Sequence, residues 1–244
     1  MTLPANADTS FSPPRPQVPA GAYAISLPCG TALWLLPQRA VWWPAARMAF
    51  VADVHFGKAA TFRRAGLPVP HGTTEDNLVR LDEVLRVTGA QHLVFLGDFL
   101  HAHSGADAPL WNQLRPWRER HAGVHMTLVR GNHDLHAGDP PPWLALPAVS
   151  EPWSPRADTP LLACHHPQAA VGHTVLAGHM HPALRLTGPG RDSLRMPCFG
   201  WGDGQLILPA FGALTGASPT ELARTWARFV VTPDRVVAVA PRFS

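Results

Sequence analysis

Five short clusters of histidine, aspartate and asparagine punctuate the sequence: Asp53-Val54-His55, Gly97-Asp98, Gly131-Asn132-His133-Asp134, His165-His166 and Gly178-His179-Met180-His181. Any one of them could be a turn. Their joint occurrence is what points to chemistry. All the candidate ligands among them are nitrogen or oxygen donors, which excludes a thiolate-type zinc site and leaves Mn²⁺, Fe or Zn²⁺. Two histidines one residue apart on extended chain point to opposite faces, so His179 and His181 suit two neighbouring metals better than one. A pair of divalent ions about 3.5–4 Å apart lowers the pKa of a bridging water and clamps phosphoryl oxygens for in-line attack. Asn132, His133 and Asp134 are the catalytic candidates. His133 suits a general acid that protonates a leaving oxygen, with Asp134 holding its orientation.

Each cluster ends an apolar run that must position it. Met48–Ala52 leads into Asp53, Leu93–Leu96 into Gly97, and Met126–Val129 into Gly131. Leu161–Ala163 leads towards His165, and Val175–Ala177 into Gly178. The runs are too short for buried helices and read as strands, as do Leu33–Leu36 and Val41–Trp43. In α/β sheets, residues at the carboxyl ends of strands converge although they are far apart in sequence. Glu75–Val87 reads as a helix with Leu78, Leu81 and Leu85 on one face, a Thr73/Asp76 capping-box pattern and Gly89 just past its end. A second helix is expected over Leu110–Arg120, with Pro116 kinking it or ending it early. Lys58, Arg63 and Arg64 are expected on a loop. Beyond Pro182, strands are expected at Leu194–Phe199, Gln205–Leu208 and Val236–Ala240, and a short helix at Thr220–Phe229.

With 244 residues the chain suits one sizeable domain. Residues 1–20, rich in Pro, Ala and Ser, read as a disordered leader, and 21–244 as a single domain. The three cysteines form no CxxC pair, and a reduced, cytoplasmic setting is the simpler reading. The start shows no secretory pattern, and no apolar stretch of about 18 residues suggests a membrane span. A net charge of +3 permits a polyanionic partner without requiring one.

The ordered clusters resemble the calcineurin-like metallophosphoesterase superfamily over about Met48 to Pro182. The flanking text is most similar to the bacterial ligase-associated DNA-damage-response phosphoesterases. It comprises Asp53-Val54-His55-Phe56-Gly57-Lys58, Phe62-Arg63-Arg64-Ala65-Gly66-Leu67-Pro68, Gly178-His179-Met180-His181-Pro182 and Leu208-Pro209-Ala210-Phe211-Gly212. The resemblance implies an α/β fold, a four-layer α/β/β/α sandwich with the site among loops of both sheets. It implies two divalent metal ions, Mn²⁺ preferred. Asp53, His55, Asp98 and His181 would hold one; Asp98, Asn132, His165 and His179 would hold the other, with Asp98 shared. His165 is preferred to His166 because the family places this ligand two residues before a proline, here Pro167. The sequence Gly97-Asp98-Phe99-Leu100-His101 lacks the acid and arginine of phosphoprotein phosphatases, which argues against that activity.

The activity implied is a Mn-dependent phosphodiesterase and DNA endonuclease of DNA repair. Its partners would be single-stranded DNA and other DNA-repair proteins, with no membrane. Lys58, Arg63 and Arg64 would hold the phosphates flanking the cut. One alternative is the same chemistry on a small nucleotide or a nucleotide-linked lipid, the latter weakened by the lack of an extended amphipathic helix. Another is a non-catalytic scaffold, which should have lost a ligand; none is lost here. Cys164 beside His165 reads as a buried small residue, and Trp201 as a residue that could stack on a base.

Overall fold

The computed structural model describes residues 18–187, 193–215 and 222–239. The expected leader therefore lies, through residue 17, outside the described residues. The first half of the chain lays down one sheet in chain order. An antiparallel meander comprises β1 (Tyr23–Ser26), β2 (Ala32–Leu36), β3 (Ala40–Trp43) and β4 (Met48–Val51). β5 (His92–Leu96), β6 (His125–Val129) and β7 (Ala148–Val149) then add in parallel. Parallel neighbours need a crossover. Helices α1 (Lys58–Arg64) and α2 (Thr73–Thr88) lie in the first, α3 (Ala108–Arg120) in the second, and α4 (Asn132–Ala137) follows β6.

The second sheet contains β8 (Leu161–Ala163), β9 (Thr174–Ala177), β11 (Ser193–Gly202), β12 (Gln205–Ile207), β13 (Ala227–Val231) and β14 (Val236–Val239). Its order is β14-β13-β11-β12-β9-β8, and β10 (Ala183–Thr187) pairs with β11. Within it β8, β9 and β12 run parallel.

Alternation along the strands builds two packing layers around the first sheet. Leu33, Leu35, Val41, Phe50 and Val94 meet Leu176, Phe199, Leu206 and Phe229 of the second sheet. The opposite face, with Leu36, Trp42, Val51 and Phe95, receives Leu81 and Leu85 of α2 and Leu114 and Trp117 of α3. This is the mixed α/β sandwich of two facing sheets that was expected. Over the outer face of the second sheet, Leu222 and Trp226 pack on Val175, Cys198 and Ile207.

Several local expectations change. α1 occupies the stretch expected to be a loop; Lys58-Ala59-Ala60 are strong helix formers, but a seven-residue helix is too short to show an amphipathic period. α2 starts at Thr73 with Gly72 as its cap in the left-handed region, and no side chain caps it, so the Thr73/Asp76 box does not form. Gly89 closes it as expected. α3 continues past Pro116 to Arg120. An interior proline costs about 3 kcal/mol, whereas burying Leu110, Leu114 and Trp117 contributes about 1.5–3 kcal/mol each.

The helix expected at Thr220–Phe229 is absent over its described part. Ala227–Val231 is instead β13, paired with β11 and β14. Leu222, Trp226 and Phe229 fit a helical period, but the pairing of Phe229 and Val230 between two strands wins over that local pattern.

Candidate metal centre

The clusters occupy the carboxyl ends of the parallel strands of both sheets. Asp53 and His55 follow β4, Asp98 follows β5, and Asn132 opens α4 after β6. His165 follows β8, while His179 and His181 follow β9. Asp53, His55, Asp98, His179 and His181 all have positive φ, between 46° and 67°. Non-glycine residues adopt this left-handed region at a cost, and such strain gathers at functional sites. The first two loops are stitched together by His55 N–H to the Asp98 carbonyl and Phe56 N–H to the Phe99 carbonyl, both 2.8 Å. Gly97 and Gly131 have no room for a side chain. A Cβ on Gly97 would lie 2.1 Å from His165 Nδ1, and one on Gly131 2.3 Å from Asp98 Oδ1.

Two groups of donors meet at Asp98. His55 Nε2 lies 3.5 Å from Asp98 Oδ2, and His181 Nε2 lies 3.3 Å from Asp53 Oδ1. On the other side, His165 Nε2 lies 3.5 Å from Asp98 Oδ1 and 3.0 Å from both Asn132 Oδ1 and His179 Nδ1. Asp98 thus turns one oxygen to each group. Asp53 Oδ1, His55 Nε2 and His181 Nε2 are buried and have no hydrogen-bond partner among the described residues. Buried polar atoms are rarely left so. Converging orphaned nitrogen and oxygen lone pairs fit a divalent cation. The triads Asp53/His55/His181 and Asp53/Asp98/His165 each bring their atoms within 4.8 Å of one another.

The electrostatics agree. Burial holds His55, His165 and His179 below the ordinary histidine pKa; nearby positive charge on Lys58 adds to this at His55, as the neighbouring imidazoles do at His179. The neutral imidazole is the form that binds metal. Burial, together with the charge of Asp53, pushes the Asp98 carboxyl up to about 6. His165 Nδ1–H donates to the Leu96 carbonyl at 3.0 Å, which leaves Nε2 as the lone-pair donor.

His165 is fully buried inside the cluster. His166 is turned to Glu151, its Nδ1 2.6 Å from Oε1. Glu151 also accepts the backbone N–H of both histidines at 2.6 and 2.9 Å, and so fixes the loop. No sequence signal marks Glu151, because it stands alone outside the clusters.

The partner expected for His133 changes. Its Nδ1 lies 2.6 Å from the His101 carbonyl oxygen, not against Asp134. Asp134 instead accepts the N–H of Leu100 at 3.1 Å and of Gly131 at 2.9 Å, tying the β5 and β6 loops together. The physical reason is burial: its carboxylate is desolvated beneath the loops and finds its donors in the backbone.

Of the basic residues, Lys58 is half-buried and within electrostatic reach of Asp53 and Asp98. Arg64 pairs with Asp107 at 2.7 Å, and Arg63 reaches the Pro70 carbonyl at 3.5 Å. Cys164 is buried with its thiol pushed up to about 11, a core residue as expected. Trp201 packs against the inter-sheet core.

A two-sheet sandwich that gathers such donors at its strand ends defines a metal-dependent phosphoesterase, a hydrolase. The chain belongs to the calcineurin-like phosphoesterase family, whose pattern matches residues 46–193. It is similar to the nuclease MPE of Pseudomonas putida, with 39% identity over 89% of this chain and 100% of that one and a TM-score of 0.75. A looser likeness to Yfce, a phosphoesterase from E. coli, has 18% identity over 80% of this chain and 99% of that one, with a TM-score of 0.40. No curated protein matches the chain. Among the described residues no helix is long and apolar enough to cross a membrane.

Proposed function

We propose that the chain is a dinuclear phosphodiesterase and DNA endonuclease with a preference for Mn²⁺ and for single strands, acting in DNA repair in the cytoplasm. Asp53, His55, Asp98 and His181 hold one ion; Asp98, Asn132, His165 and His179 hold the other. The observation that carries this reading is the convergence of the orphaned atoms Asp53 Oδ1, His55 Nε2 and His181 Nε2 beside a carboxylate that offers an oxygen to each of two groups. Bound ions supply an activated water and neutralise phosphoryl charge. The chain's own residues do the rest. The Leu96 carbonyl fixes the tautomer of His165, the His101 carbonyl orients His133, and His133 Nε2 passes a proton to the leaving oxygen. Lys58, from the start of α1, adds positive charge beside the carboxylates.

The nucleic-acid substrate is supported by the 39% identity to a nuclease over nearly the whole of both chains. The manganese preference and the repair role follow the family resemblance. The test is hydrolysis of single-stranded DNA, duplex DNA and a chromogenic phosphodiester under a panel of Mn²⁺, Fe²⁺, Zn²⁺ and Mg²⁺. Incision of single-stranded DNA, fastest with Mn²⁺, is the expected result. Brisk hydrolysis of the small diester with no DNA incision under any metal would overturn the nuclease reading and leave the phosphoesterase.

A further inference from the structure

A second site of unbalanced charge lies away from the metal centre. A cleft of about 1120 Å³ is bounded by the β2–β3 turn, α2, the start of β11 and the β13–β14 turn, and none of the candidate metal ligands lines it. Arg39 enters from the turn and Arg80 from α2, both half-buried. Each donates one Nη1–H to successive carbonyls of the same loop, Arg39 to Ala210 at 3.2 Å and Arg80 to Phe211. Arg80 also lies over the Phe211 ring, 5.3 Å from its centre.

A carbonyl oxygen satisfies one donor but neutralises no charge, and a guanidinium carries five N–H groups. Among the described residues neither arginine has a carboxylate at ion-pair distance. Asp76, one turn earlier on α2, attracts Arg80 only from further off. The other acids of the cleft are engaged: Asp82 by Trp117, His121 and Arg120, and Glu83 by Arg86. The two cations repel each other, and burial pushes Arg39 down to about 10. Desolvated like charges without a counter-ion are costly. Arg39 also sits at φ 62°, a conformation that glycine or asparagine takes more readily. A long basic side chain thus stands where the backbone alone favours a small residue.

We propose that Arg39 and Arg80 form a phosphate-binding site in this cleft, separate from the metal centre. Their N–H groups that have no partner among the described residues present two planar forks, the geometry that suits the oxygens of a phosphate group. Arg195 adds a further cation at the rim. The site also touches the metal centre through the backbone. The loop held by both arginines donates Phe211 N–H to the Ala52 carbonyl at 2.9 Å and Gly212 N–H to the Asp53 carbonyl at 3.1 Å. An anion that clamps the arginines therefore steadies the segment carrying Asp53. The phosphate comes from a nucleic-acid strand, which rests on the nuclease reading above, or from a free phosphate or nucleotide.

The test is calorimetric titration of inorganic phosphate into the metal-loaded protein. Two phosphates per chain are expected, one at the metal centre and one lost in R39Q/R80Q; the surviving metal-centre phosphate reports that the variant is folded. If that variant does not fold, R39K and R80K keep the charge and a donor to the loop but lose the fork, and should weaken the second site by about tenfold. One phosphate per chain that R39Q/R80Q retains, or a second site that R39K and R80K bind with parental affinity, overturns the proposal. The sources are distinguished by a single-stranded oligonucleotide and a dinucleotide. A strand source predicts that R39K and R80K weaken the oligonucleotide as well as inorganic phosphate but spare the dinucleotide; a free-anion source predicts that both nucleic acids bind as before while inorganic phosphate alone is weakened. Phosphate stoichiometry needs no catalysis, so failure of the nuclease reading leaves this test intact.

Discussion

His133 and His101 are joined twice: the Nδ1 of His133 lies 2.6 Å from the His101 carbonyl oxygen, and the two rings stack with centres 4.8 Å apart. The carbonyl can only accept, so Nδ1 carries the hydrogen and Nε2 remains to exchange a proton. The His101 ring, in turn, places its Nδ1 3.3 Å from His55 Nδ1. A backbone atom therefore orients the proposed acid, and the ring of His101 buttresses both His133 and a candidate ligand.

The first prediction follows from this division. His133→Ala should keep its metals and lose about 10²- to 10⁴-fold in kcat on DNA or an alkyl diester, the range of general acid catalysis. It should lose far less on a p-nitrophenyl ester, whose leaving group needs no proton. His101→Ala keeps the carbonyl and removes only the ring, so its loss on the alkyl diester should be smaller than that of His133→Ala. Equal losses of His133→Ala on both leaving groups would remove the acid role.

The second prediction concerns the adjacent histidines. His165→Ala should lose one metal equivalent by elemental analysis, because its Nε2 sits among Asp98, Asn132 and His179. His166→Ala should retain both, since its ring is held by Glu151. Asp98→Ala removes an oxygen from each group and should abolish activity altogether. Metal loss in His166→Ala with none in His165→Ala would reverse the assignment.

The donors were legible in the sequence because each closes an apolar run, and burial and strand order bring such ends together. The tie between His165 and the Leu96 carbonyl was not, because a backbone acceptor leaves no mark on residue type. The same holds for the His101 carbonyl, which displaced Asp134 as the partner of His133. Glu151, Arg39 and Arg80 were also missed. Each acts singly from a separate loop or helix, and only the tertiary fold sets Glu151 beneath two histidines or two arginines against one loop. Strand β13 failed for a different reason: a short apolar stretch fits both periods until its neighbours are known.

The third prediction uses pH. Burial holds His92, hydrogen-bonded to Thr127 at 2.9 Å, below its ordinary value of 6.5, with the charge of His125 adding to this. A histidine with a depressed folded pKa contributes stability that is complete above 6.5 and is lost as pH falls through the folded value. Asp98 and Asp134 work in the opposite sense in metal-free protein. Burial pushes both up to about 6 from 3.8, so their contribution is complete below 3.8 and fades as pH rises through 6. The slopes partly cancel in the parent chain. A His92→Gln variant isolates one of them: its stability relative to the parent, by urea denaturation, should improve as pH drops below 6.5. A stability difference that stays flat with pH would show that His92 does not charge on unfolding.

The last prediction separates the three basic residues, which the sequence groups and the structure divides. Lys58 stands at the start of α1, half-buried and in the field of Asp53 and Asp98. Arg63 and Arg64 lie at the other end of that helix, Arg63 against the Pro70 carbonyl and Arg64 on Asp107, with its side chain 51% exposed. A small diester makes one phosphate contact, at the metals, so it should sense Lys58 and ignore the arginines. A single strand that continues past the cut should sense all three. Lys58→Ala should therefore slow both substrates, whereas Arg63→Ala/Arg64→Ala should slow DNA incision alone. Each phosphate contact on a single strand contributes about 0.7 to the slope of log affinity against log salt. Losing two should flatten that slope by roughly 1.4, less whatever Asp107 already neutralises. Asp107→Ala, which frees Arg64, should steepen it. If the double variant keeps the parental salt slope, the outer end of α1 does not touch the strand, and the backbone contacts lie elsewhere, with the Arg39/Arg80 cleft as the next place to look.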